Sequence, residues 1–412
     1  MSRGASVIRR ALARATPLAT DRRGGLASGE RHLAHGCPGS HRPHTASRPL
    51  RIAMLAPPWI PVPASGYGGI ESVVHQLTEQ LAARGHGVTL FAAPGSRSSA
   101  TVRSLLEHAY PDAIGEPPYE ADHVALAMAE IDDARASGAP FDVVHDHSGF
   151  TAVAMADRLA TPMVHTIHGP FEPRLGGFYG RHGHKAVLVA ISPAQRRSAP
   201  GDVSISAVVP NPLAVDDWPL VRDKGRHLLW LGRMHETKGP HRAIVAARMA
   251  DRTLVLAGPV QTGQERFFAE QVEPHIDGSG VHYVGEVGGL AKQRVLSGAA
   301  ALLMPIRWEE PFGMVMVEAL ACGTPVIAFP EGAARNIVID GINGFLVEDE
   351  HAMAVAVGRL AEIDPAACRA SVHRRYDVDG VTSAYERVYL TALRQAAARS
   401  GMREARREAL AR

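Results

Sequence analysis

Hydrophobic residues in this chain fall into short runs separated by helical patterns, and the alternation occurs twice. Ile52 to Ala56 form an apolar run ended by Pro57-Pro58, which predicts a buried strand feeding a loop. The loop passes through Ser65-Gly66-Tyr67-Gly68-Gly69. Ile70, Val73, Val74, Leu77 and Leu81 then recur at helical spacing, Gly85 closes the helix, and Val88 to Ala92 read as the next strand. That order predicts parallel pairing through a right-handed crossover. Further short strands are expected at Val143-Val144, Met163-Val164 and Val187 to Ile191, ending in His145-Asp146-His147, His165 to Gly169, and Ser192. Ligands of open α/β sheets bind outside the carboxyl ends of the strands, so chemistry is expected at those endings.

Pro210 to Pro219 interrupt the pattern and read as a linker. Strands then return at His227–Leu231, Thr253–Ala257, Val281–Val284, Ala301–Met304 and Pro325–Ala328. Helical segments fall near Pro240–Met249, Gln264–His275, Leu290–Ser297 and Gly313–Ala321. A second parallel sheet covered on both faces follows. The expected fold is α/β: two doubly wound Rossmann-like domains facing across a cleft. Residues 50–215 form the first and 216–380 the second. Residues 381–412 are expected to form a C-terminal helix, with Val381, Ala384, Tyr385, Val388 and Leu393 on one side, and a frayed Arg-rich tail.

Composition changes this picture mainly at the amino terminus. Residues 1–49 hold nine arginines and no lysine against Asp21 and Glu30, which reads as a disordered leader outside the fold. The remainder is mildly acidic despite the overall net charge of +2, which gives no reason to expect nucleic-acid binding. Three scattered cysteines suit neither a disulfide framework nor a CxxC metal site, and point to a reducing, cytoplasmic setting. No run approaches the roughly 18 consecutive apolar residues of a membrane helix, so a soluble protein is expected.

Two motifs carry the candidate chemistry. Gly232-Arg233-Met234-His235-Glu236-Thr237-Lys238-Gly239 sets an arginine at a strand's carboxyl end and a lysine opening the next helix. Two cations near one helix start suit a diphosphate, although such a pair taken alone is usually two solvated charges. In the second motif, Glu310-Pro311-Phe312-Gly313-Met314 leads into a helix carrying Glu318 among apolar residues. A carboxylate there is costly without a polar partner, and ribose hydroxyls would supply one. The amides of Phe312 to Met314 at the helix start are free for sugar hydroxyls or phosphate. His145-Asp146-His147 resembles a metal pair, but no third ligand is evident and no metal is expected.

Together these segments resemble the retaining GT-B glycosyltransferases of family 4, the "glycosyl transferases group 1". The resemblance spans roughly residues 51 to 390. It rests on Gly232-Arg233 with Lys238, on Glu310 and Glu318 spaced as E-x7-E, on Ala321 to Ala328, on Asp340-Gly341 with Gly344 to Val347, and on Gly68-Gly69. It implies that Arg233 and Lys238 neutralise the donor diphosphate and that Glu318 holds the ribose. Glu310, the Phe312–Met314 backbone and His168 would face the donor sugar, while Gly68-Gly69 let a loop approach the phosphates. It also implies transfer with retention and no tightly bound cofactor or metal, the nucleotide sugar being a co-substrate; UDP-glucose is expected ahead of GDP-mannose. Many relatives carry a glutamate where this chain has Asn336, a position expected near the donor pocket, so donor preference stays open.

The acceptor is not legible. Its pocket is expected in the loops Trp59–Tyr67 and Pro170–His184. Phe171, Arg174, Phe178, Tyr179, Arg181, His182 and Lys185 would suit an anionic or sugar-like acceptor, a small molecule, glycan or lipid-linked sugar, or peripheral contact with a membrane. The competing readings are a sugar-nucleotide epimerase of the same architecture and a non-catalytic carbohydrate-binding relative. Retention of Arg233, Lys238, Glu310 and Glu318 favours the transferase.

Overall fold

The computed structural model describes residues 48–66 and 68–410, with side chains through residue 402. The expected leader, apart from Arg48 and Pro49, lies outside the described residues, as does Tyr67.

The first half builds a seven-stranded parallel sheet from β1 (Arg51–Leu55), β2 (Gly87–Phe91), β3 (Thr101–Arg103), β4 (Val143–Asp146), β5 (Met163–Ile167), β6 (Val187–Ala190) and β7 (Ala207–Val208). The spatial order is β3-β2-β1-β4-β5-β6-β7. Strand β1 is central, with Ile52 opposite Val88 and Val143. Its residues alternate between two cores, as a pleated strand requires. Ile52 and Met54 pack with Leu77, Leu81, Tyr385 and Tyr389. Ala53 and Leu55 pack with Val124, Met128 and Ile131.

The latter three residues belong to a helix, Pro117–Ala136, that the periodicity did not reveal. Its apolar stripe is only Val124, Ala127, Met128 and Ile131, with acidic residues around it. Strands β3 and β7 also went unread, because three-residue and two-residue edge segments carry no usable alternation.

The second half builds a six-stranded parallel sheet from β8 (Leu228–Leu231), β9 (Leu254–Ala257), β10 (Val281–Tyr283), β11 (Ala301–Met304), β12 (Val326–Ala328) and β13 (Gly344–Leu346). The order is β10-β9-β8-β11-β12-β13. The predicted strands agree within two residues, and only β13 is additional. In both sheets the order reverses beside the first strand, the position where open sheets form their binding crevice.

The chain crosses between halves twice, and the crossings touch. Leu213 donates its amide to the Tyr376 carbonyl (2.8 Å) and accepts from the Val378 amide (3.0 Å). The final helix starts at Val378 and runs to Leu410, through the Arg-rich segment expected to be a frayed tail. Val381, Tyr385, Val388, Tyr389 and Ala392 bury themselves in the first half's core. The carboxyl end of the chain therefore completes the first sheet's cover. No helix among the described residues is long and apolar enough to cross a membrane.

Candidate active site

A cleft of about 600 Å³ opens where the carboxyl edges of the two sheets face each other. The first half contributes Gly68, Gly69, Ile70, Ser72 and His168 to its walls. The second contributes Gly232, Arg233, Lys238, Lys292, Trp308, Glu310, Phe312, Gly313, Met314 and Glu318. Every residue expected from the sequence to meet the donor's ribose, diphosphate or sugar therefore lines one cavity.

Arg233 follows β8, where Gly232 brings the chain across the edge of the Trp230 ring. Its guanidinium reaches Gln261 Oε1 at 3.1 Å, and among the described residues it has no carboxylate partner. Lys238 ends a single 3-10 turn, Glu236–Lys238, rather than opening the helix itself; the helix runs Pro240–Met249. Gly239 between them is left-handed (φ 74°), and a Cβ there would strike the Pro305 carbonyl, so glycine is required.

Lys238 forms an ion pair with Glu310, whose carboxylate also accepts from Trp308 Nε1 at 3.0 Å. The ammonium sits 4.3 Å from the centre of the Trp308 ring. Trp308 thus contacts both charges of the pair. Burial, with Arg233 nearby, lowers the Lys238 pKa against the opposing pull of Glu310.

Gly313 caps the helix Met314–Ala321 in a left-handed conformation (φ 88°), and the first-turn residues Met314 and Val315 line the cleft. Glu318 lies on the fifth residue of that helix and is only 4 % exposed. Lys292 Nζ donates to its Oε1 at 2.6 Å, while Oε2 is buried without a partner. Lys292, on the helix Gly289–Gly298, escaped the sequence reading. The signal was indirect: a carboxylate on an apolar helix demands a cation, but nothing in the chain says which one.

On the first-half side, Gly68 is confined by the protein itself, since a Cβ would strike Ala64 and crowd the Glu71 carboxylate; Gly69 is unhindered. A Cβ on Gly66 would meet Glu286, and one on Gly288 would meet the Ser65 carbonyl. The loop before Gly68 therefore already touches the second half. His168 Nε2 lies 2.8 Å from His147 Nδ1. Burial lowers the His168 pKa to about 3 and holds His147 well below its ordinary value, so both rings are neutral.

Two expectations are corrected. Asn336 does not line the cleft; its Oδ1 accepts from the Ala194 amide at 3.0 Å, joining the two halves elsewhere. Most of the presumed acceptor loop Pro170–His184 is a helix, Pro173–His182, because Pro173 suits a first helical turn and Tyr179 finds a buried partner. Phe178 packs on Phe150, Phe171 on Tyr179, and Lys185 reaches the Ala154 carbonyl at 2.6 Å. Phe171, Phe178 and Lys185 thus find partners within the first half, while Arg174 and Arg181 of the same segment are exposed. Among the described residues no group of three His, Cys, Asp or Glu is placed to hold a metal ion, and His145 and Asp146 bond instead to Tyr389, Thr166 and His165.

Comparison with known proteins agrees with this fold. Residues 225–362 match the family model "Glycosyl transferases group 1" and residues 67–216 match "Glycosyltransferase Family 4". Similar proteins include a phosphatidyl-myo-inositol mannosyltransferase of Mycobacterium leprae, 30% identical over 83% of this chain and 97% of its own length. A glycogen synthase of Mycobacterium tuberculosis is 28% identical over 84% of this chain and 95% of its own. Among solved structures, a glycosyltransferase involved in avilamycin A biosynthesis is 28% identical with TM-score 0.63, covering 84% of this chain and 98% of its own. A sucrose-phosphate synthase from Thermosynechococcus elongatus shares the fold at TM-score 0.67 and 21% identity, over 83% of this chain and 98% of its own.

Proposed function

The chain belongs to glycosyltransferase family 4 and has the GT-B fold, and we propose that it moves a hexose from a nucleoside-diphosphate sugar to an acceptor hydroxyl with retention of configuration. One observation carries the donor assignment: Glu318, whose buried Oε2 has no partner, lines the same cleft as Arg233 and Lys238. A nucleoside diphosphate offers ribose hydroxyls to the carboxylate and charged phosphates to the cations.

In this reading the anomeric carbon–oxygen bond to the diphosphate breaks while the acceptor oxygen bonds to that carbon from the same face. The departing diphosphate oxygen takes the acceptor's proton. Arg233 and Lys238 hold the charge that develops, acting as preorganised electrostatic groups in place of a metal or bound cofactor. Glu310 fixes Lys238 and, with the Gly313–Met314 amides, faces the donor sugar. His168, neutral and hydrogen-bonded from behind, faces it from the first half.

Thermal shift with UDP, GDP and ADP, followed by UDP-glucose and then GDP-mannose, tests the proposal. A ligand at 100 times its Kd stabilises by about 2.7 kcal/mol. Absence of any nucleotide-dependent shift at millimolar concentration would overturn it.

A further inference from the structure

Lys224, in the segment that enters β8, is a largely buried cation with no part in the reaction described above. Burial lowers its pKa to about 8, so it keeps its charge at neutral pH. No carboxylate pairs with it among the described residues. Its Nζ donates instead to three neutral acceptors: the Ser297 carbonyl (3.0 Å), the Cys322 carbonyl (2.8 Å) and Thr324 Oγ1 (2.8 Å).

Two of those acceptors are helix ends. Ser297 belongs to the last turn of the helix Gly289–Gly298, and Cys322 caps the helix Met314–Ala321. The last carbonyls of a helix lack intrahelical donors and carry the negative end of its dipole, so a cation is their favoured partner. One ammonium here serves two helices at once.

These are the two helices that carry Lys292 and Glu318, each about one turn from the carbonyl that Lys224 takes. The Glu318 carbonyl accepts from the Cys322 amide at 3.2 Å, so the residue that binds Lys224 also closes the turn of Glu318. The chain around Lys224 is seated on the same ends. Val221 donates its amide to the Cys322 carbonyl (3.2 Å) and Gly225 to the Gly298 carbonyl (2.9 Å), which a Cβ at Gly225 would strike. Thr324 Oγ1 donates to the Leu296 carbonyl at 2.7 Å. Each backbone contact of the linker ties one helix. The Lys224 ammonium ties both at a single atom, and so fixes the spacing between them.

That spacing matters because the Lys292–Glu318 bond joins side chains on separate helices at 2.6 Å. A hydrogen bond weakens once its partners part beyond about 3.2 Å, so a small slide of one helix past the other is enough to loosen it. Lys224 itself does not line the cleft, and Arg233 and Lys238 follow the opposite end of β8. We infer that Lys224 is a positioning residue for nucleotide recognition: by holding two helix ends on one ammonium it sets the Lys292–Glu318 pair, and through that pair the preference of the cleft for a nucleotide with intact ribose hydroxyls. This deepens the transferase reading and rests on it for the nucleotide.

The test is calorimetric titration of the full chain at pH 7, well below its melting temperature. The probes are UDP, GDP and ADP, their 2′-deoxy and 3′-deoxy forms, and pyrophosphate. Wild type should bind at least one nucleotide about tenfold more tightly than one of its deoxy forms, the size of a hydrogen bond to a charged group. In Lys224→Met that ratio should fall below about threefold through weaker binding of the intact nucleotide, while pyrophosphate affinity stays within about twofold of wild type. Lys224→Gln, which keeps a donor without the charge, should lose part of the ratio, and it decides the matter if Lys224→Met does not fold. A merely structural lysine would lower the melting temperature and leave the ratio intact. The inference is overturned if a folded variant keeps the wild-type ratio, or if pyrophosphate binding is lost as severely as nucleotide binding. Wild type that binds nucleotides without regard to the ribose hydroxyls also overturns it, but leaves the transferase reading on Arg233 and Lys238. Wild type that binds no nucleotide overturns both.

Discussion

Lys292 holds one oxygen of Glu318 at 2.6 Å and leaves the other buried and unpartnered. The relationship orients a carboxylate that would otherwise be expensive on an apolar helix, and it leaves the second oxygen without a hydrogen-bond partner. Lys292→Met should therefore raise the donor KM about tenfold with little change in kcat, the size expected for one charge-assisted hydrogen bond. A 2′-deoxyribose donor should be penalised in the wild type and less so in Glu318→Gln. An unchanged KM in Lys292→Met would remove the ribose role from this pair.

Lys238 and Arg233 should act on the turnover step. Lys238→Met or Arg233→Gln is expected to lower kcat by about 10²–10³, as loss of one preorganised donor does elsewhere. The double variant should cost less than the product of the two, because both act on one diphosphate. Lys238→Met also leaves buried Glu310 without its ion pair, so its melting temperature should fall more than that of Arg233→Gln. Steady-state kinetics and thermal melts of the three variants separate these effects.

The histidines of the first half should leave a signature in stability. His168 has a folded pKa of about 3, below its ordinary 6.5, because burial disfavours the charged form. Protons then bind the unfolded chain first, so the contribution is present above about 6.5 and is lost as pH falls toward 3. Melts of wild type and His168→Asn from pH 7 to 4 should show a shallower fall in the variant. The kcat profile should lack a histidine limb near neutrality.

Glu71, buried in the first turn of the helix Gly69–Ala83, should behave in the opposite sense. Burial raises its pKa to about 7 from 4.5. The unfolded chain releases this proton first, so stability falls as pH rises from about 4.5 through 7. Glu71→Gln should remove that decline and melt higher than wild type at pH 8. Identical slopes in the two proteins would show that the carboxyl is not held protonated.

Stereochemistry tests the proposed mechanism directly. NMR of the freshly formed linkage is expected to show the donor's anomeric configuration, and EDTA should leave the rate unchanged. An inverted product would require a positioned base on the acceptor side, and the roles given to Glu310, Arg233 and Lys238 would fall together.

The sequence alone determined the two parallel sheets, the places where they end, and most of the residues that line the cleft from the second half. Runs such as Ile52–Ala56 and Ala301–Met304 are buried on both faces, so their composition reports the strand directly. Gly232-Arg233 and Lys238 lie between a strand and a helix that the same pattern locates, and Glu310 precedes and Glu318 sits within another such helix. Tertiary structure decided what meets across long separations. The Lys292–Glu318 pair joins separate helices, His147 reaches His168 only because β4 and β5 are neighbours, and the tyrosines of the last helix complete a core begun at Ile52. It also turned the expected acceptor loop into a helix and moved Asn336 away from the cleft. Periodicity records which face of one element is buried; it carries no information about which other element buries it.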